Sequence, residues 1–114
     1  MSTTVLIYGV DPLLLETRRL LLTRQGFGVV LTRTLGEVET SIRELEPSVA
    51  IFCSSLTHEE KEEAITLSQR LRPEMKKLVV EGVTGLRVSA QADSIVDGLY
   101  GPIVFIDAVR VLAC

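Results

Sequence analysis

The chain has 114 residues, a length that suits one domain able to bury about two thirds of the surface its unfolded form would expose. Net charge is −3 at pH 7, with Lys and Arg scattered apart from the pairs Arg18, Arg19 and Lys76, Lys77, and with no Trp; that excludes a basic footprint and a base-stacking platform for nucleic acid. Hydrophobic residues reach 46% but in short runs, none near the roughly 18 apolar residues of a membrane span, and no basic, apolar and small-residue leader opens the chain, so a soluble cytoplasmic protein is expected.

Val5 to Tyr8 is an unbroken apolar run, as a strand covered on both faces requires. Asp11 and Pro12 then predict a helix start, since Asp accepts from an orphan amide and Pro suits the first turn. The helix is expected to reach Gln25, with Gly26 ending it. Its triplets Leu13 to Leu15 and Leu20 to Leu22 stand seven residues apart and so share a face. Most of these six leucines are expected in the core, and an exposed remainder is a candidate partner surface.

Gly28 to Thr32 reads as a second strand, and Thr34 with Glu37 has capping-box spacing for a helix to Leu45. Pro47 resets the chain before a third strand, Ser48 to Cys53. Thr57 and Glu60 repeat the capping-box spacing, opening a helix with an apolar stripe of Ala64, Leu67 and Leu71, Ile65 at its edge and Ser68 interrupting it. The acidic cluster Glu59, Glu60, Glu62 and Glu63 suits the positive end of that helix. Leu78 to Val80 is the fourth strand, and the fifth falls within Ser94 to Tyr100. Gly82 and Gly85 lie between these strands, where any helix must be short. After Pro102, the spacing of Phe105, Ile106, Val109 and Leu112 predicts a last helix.

Strands alternating with helices and no hairpin signals imply a single α/β domain over 1–114: a doubly wound, five-stranded parallel sheet in the order 2-1-3-4-5, helices on both faces, the fourth helix shortened. Cys53 stands where the third strand runs out. A reactive thiolate needs a cation or a helix N-terminus, so Cys53 is expected to be a small buried hydrophobe. Cys53 and Cys114 have no CxxC spacing and are expected to be reduced. His58, the only histidine, makes no multi-histidine metal site. Asp11 and Glu81 are the acids expected at the carboxyl edge of the sheet, too few for a hard cation. Ser54 and Ser55 carry no base or oxyanion motif and are expected in loop or capping roles.

The strands Val5 to Tyr8, Ser48 to Cys53 and Lys77 to Glu81, with the ungapped stretch Val5 to Val30, make the chain resemble a response-regulator receiver domain over nearly its whole length. The resemblance implies a pair of Mg²⁺-binding acids after the first strand, a phosphoacceptor aspartate ending the third, a switch Ser or Thr after the fourth and a Lys-Pro pair after the fifth. Here those positions hold Gly9 and Val10 followed by Asp11, then Cys53, Glu81 with Thr84 close by, and Gly101 before Pro102. Gly9 and Val10 bring no side-chain oxygen to a hard cation, a thiol forms no acyl phosphate, and Gly101 removes the pairing cation. The expectation is a phosphorylation-independent pseudo-receiver that binds protein partners, a homodimer among them, and is neither an enzyme nor dependent on a cofactor or metal. The face receivers commonly signal through corresponds to Leu99, Tyr100 and Ile103. Two other readings are a thiol redox sensor or small enzyme at Cys53 and a small-ligand sensor at the carboxyl edge of the sheet.

Overall fold

A computed structural model of the chain describes residues 3–81, 92–97 and 101–113. Nine elements follow in order: β1 (Thr4–Tyr8), α1 (Pro12–Arg24), β2 (Gly28–Thr32), α2 (Leu35–Leu45), β3 (Val49–Phe52), α3 (His58–Leu71), β4 (Lys76–Glu81), β5 (Ser94–Asp97) and α4 (Pro102–Ala113). All strand pairs are parallel, in the order β2-β1-β3-β4-β5. This is the predicted doubly wound sheet. The expected short helix between Gly82 and β5 lies outside the described residues.

Strand alternation divides the core between two faces. Val5, Ile7, Val49, Ile51, Leu78 and Val80 point to the side covered by α1 and α4, where Leu15, Leu22, Phe105 and Val109 meet them. Leu6, Tyr8, Ala50, Phe52 and Val79 point to the side of α2 and α3, against Val38, Ile42, Ala64 and Ile65. A period of two in the strands thus feeds two cores, each closed by two helices.

Caps fix the helix starts. Asp11 Oδ1 accepts from the amides of Leu13 at 3.0 Å and Leu14 at 3.3 Å. Thr57 and Glu60 form the full reciprocal box, at 3.1 and 2.8 Å. Thr34 accepts from the Glu37 amide, but the Glu37 carboxylate takes the amide of Arg33, one residue before the cap, so only half of that predicted box forms. After α1, Gly26 at φ +93° supplies the left-handed turn.

Packing departs from the predicted stripes in three places. Only Leu15 and Leu22 of the six leucines are buried; Leu14 and Leu21 are half-buried, and Leu13 and Leu20 are exposed. One sheet face is too narrow for a triplet spanning about 200° of a helix at 100° per residue. Ile65 is wholly buried rather than at the edge, and the α3 stripe begins at Lys61. Ser68 is accommodated in it by donating to the Ala64 carbonyl at 2.7 Å. β4 starts two residues before Leu78, because Lys76 and Lys77 already pair with Val49 and Ala50 of β3, and the Lys77 stem is buried with its Nζ donating to the Met75 carbonyl at 3.1 Å.

Candidate functional site

The parallel register brings Gly9 and Cys53 side by side at the carboxyl edge. Tyr8 and Phe52 are the last paired residues of β1 and β3, and the ladder continues through the Cys53 amide to the Tyr8 carbonyl at 2.9 Å. Gly9 donates to the Thr32 carbonyl at 3.1 Å. A Cβ on Gly9 would lie 3.0 Å from Cys53 Cβ, 3.1 Å from Ser55 Oγ and 3.2 Å from Cys53 Sγ. Its absence leaves the space that Cys53 fills. Ser55 Oγ accepts from the Val10 amide at 3.1 Å, tying the loop after β1 to the loop after β3. This gives Ser55 the loop-fixing role expected of it.

Val10 is exposed, and the Asp11 carboxylate is taken up by the α1 cap. Glu81 ends β4, opposite Asp97 in the backbone register. Gly101 adopts φ +85° immediately before α4, a left-handed position that suits glycine. Ile103, on the first turn of α4, is 73% exposed. Leu99, Tyr100 and Thr84 lie outside the described residues.

Two cations that the sequence did not connect with Cys53 act on it. The thiol is wholly buried, and desolvation pushes its pKa up, against the pull of the Arg18 guanidinium and, more weakly, the Lys61 ammonium. Lys61 is itself buried, its Nζ donating to the Val80 carbonyl at 3.4 Å. Arg18 stands with its guanidinium carbon 5.8 Å from the centre of the Phe105 ring. His58 is exposed at the start of α3. Spacing was the signal for both cations: Arg18 continues Leu14 and Leu21 at helical intervals, and Lys61 leads Ala64, Ile65 and Ser68.

The buried thiol has a measurable consequence. An unfolded cysteine loses its proton near about pH 8.5 while the folded one retains it to higher pH, so above that point the unfolded chain binds fewer protons. Stability therefore falls as pH rises, by at most about 1.4 kcal/mol per pH unit from this group. In a Cys114→Ser background, urea unfolding across this range should show the slope, and Cys53→Ala should flatten it. Cys53 should also react far more slowly with a thiol reagent in the native than in the unfolded chain; equal rates would revive the redox reading.

No protein-family model matches the sequence, and no curated protein matches it. Solved structures do. A response regulator receiver domain protein (CheY-like) from Methanospirillum hungatei JF-1 aligns over 97% of this chain and 93% of its own, with TM-score 0.85 and 25% identity. The N-terminal signal receiver domain of a two-component system response regulator from Bacteroides fragilis aligns over 100% and 98%, with TM-score 0.89 and 15% identity. The chain has the CheY-like receiver fold. A structure described as adenylate cyclase from Rhodopirellula baltica shares it, at TM-score 0.87 and 18% identity over 99% of this chain and 88% of that one.

Receiver domains are in general non-enzymatic signalling domains that interact with proteins such as kinases or effectors. Among the described residues no helix is long and apolar enough to cross a membrane. Within this fold, Gly9 and Cys53 stand at adjacent strand ends, and a Cβ on Gly9 would meet both Cys53 and Ser55.

Proposed function

We propose that this chain is a phosphorylation-independent receiver-type signalling module, working in the cytoplasm as a single domain through contact with a protein partner. The close packing of Gly9 against Cys53 carries the reading. Phosphoryl transfer to a receiver needs oxygen ligands for Mg²⁺ and a carboxylate to accept the group. Gly9 and Val10 have no side-chain oxygen, Cys53 offers a buried thiol, and Asp11 is engaged at a helix start. Gly101 leaves the pairing lysine unreplaced at its own position.

Without the phosphoryl switch, recognition falls to the surface. Ile103 is exposed at the start of α4, and Leu99 and Tyr100 precede it in sequence; we assign these residues to the partner face. A second copy of the chain is one partner such a face admits. Incubation with Mg²⁺ and acetyl phosphate should leave the mass of the intact protein unchanged. A stoichiometric gain of one phosphoryl group on an aspartate would overturn the reading. In a pull-down, Ile103→Glu should lose the captured partner while its unfolding midpoint stays that of the parent; retention of the partner would remove Ile103 from the face.

A further inference from the structure

A cavity of about 270 Å³ lies between α1, α4 and the strands beneath them. Leu14 and Leu21 of α1, Val80 of β4, Val96 of β5 and Phe105 of α4 form apolar walls, with Gly101 and Pro102 also lining it. Two polar side chains reach the lining, Thr17 and Arg18. The Thr17 hydroxyl is spent on the Leu13 carbonyl at 2.8 Å. Arg18 is different: its Nη1 is buried and has no hydrogen-bond partner among the described residues.

A guanidinium keeps its charge under all ordinary conditions and carries five donors in a planar fork. Leaving one of those donors buried without an acceptor costs stability, and the Phe105 ring face offsets this only in part. A planar anion in the cavity could be held by the guanidinium through two parallel hydrogen bonds once Arg18 turns its buried edge toward it. What would fill the rest of the cavity is hydrocarbon, because its other lining side chains are apolar apart from Thr17.

We propose that this cavity binds a small monocarboxylate with a compact apolar body, its carboxylate on Arg18 and its hydrocarbon against Leu14, Leu21, Val96 and Phe105. One cation in an otherwise apolar lining favours a single negative charge over the two of a phosphate. The site is held by α1 and α4 together, so an occupant bridges the two helices. This goes beyond the protein-binding reading and stands or falls without it.

The test uses the full chain and five probes: the monocarboxylates phenylacetate, benzoate and hexanoate, the neutral counterpart phenylacetamide, and inorganic phosphate. Methyl resonances of Leu14, Leu21, Val80 and Val96 should shift saturably with phenylacetate. Phenylacetamide, identical in shape but uncharged, should bind about tenfold more weakly or worse. Arg18→Met should weaken phenylacetate by a similar factor and abolish the preference for acid over amide. The acid and amide comparison needs no variant, so a misfolded Arg18→Met leaves the proposal testable. Absence of saturable shifts with phenylacetate, benzoate and hexanoate up to about 10 mM, where even millimolar affinity would register, overturns the proposal. So does equal binding of acid and amide, or tighter binding of phosphate at the same methyl groups.

Discussion

Cys53→Asp should lower the unfolding free energy by about 3 kcal/mol and should not make the protein accept a phosphoryl group. Cys53 is wholly buried, so the new carboxylate would lose its water, and burying a charge without full compensation costs several kcal/mol. Arg18 and Lys61 act on the thiol and would offset part of the loss. Lys61 already donates to the Val80 carbonyl, and drawing it away would leave that carbonyl short of a donor. On a typical total of about 5–15 kcal/mol, a change of this size shows plainly in a urea titration as a lower midpoint at unchanged slope. Cys53→Ala is the control, costing about 1 kcal/mol for a small cavity. A Cys53→Asp protein as stable as the parent, and phosphorylated by acetyl phosphate with Mg²⁺, would show that Gly9 and Val10 do not stand in the way.

Sequence patterns carried the topology because each relied on a local rule that tertiary packing did not overrule. Asp11 before Pro12, the Thr57–Glu60 box, Gly26 after α1 and the apolar runs of β1 and β3 act within a few residues of themselves. Six leucines at seven-residue spacing did not reveal which two would be fully buried, because a helix turns each triplet across the edge of the interface. Charged residues were the other blind spot. Arg18, Lys61 and Lys77 had no part in the predicted core, yet each has a stem long enough to lie in the core and a head that finds a carbonyl, an aromatic face or a thiol. The Gly9–Cys53 contact spans two strands and 44 positions of sequence, and only the register of β1 with β3 brings it together.

That contact makes the two positions interdependent, and Gly9→Asp should cost about 3 kcal/mol for reasons that differ from those at Cys53. Gly9 does not have the left-handed backbone of Gly26 and Gly101, so its conformation admits a side chain and the obstacle is space. Its Cβ would meet Cys53 Cβ at 3.0 Å, and Ser55 Oγ at 3.1 Å cannot swing aside without leaving the Val10 amide unpaired. Overpacking of this kind costs about 1–3 kcal/mol, which Gly9→Ala should show nearly alone, less a few tenths regained from a stiffer unfolded chain. The aspartate adds a carboxylate in a buried position. Pairing Gly9→Asp with Cys53→Gly removes two of the three close contacts by emptying the facing side chain. The pair should therefore be less destabilised than the sum of the singles, with a coupling of about 1–2 kcal/mol in a double-mutant cycle. Simple additivity would mean that the strands separate to admit the Cβ, and that an acid could return after β1 while Cys53 stayed in place.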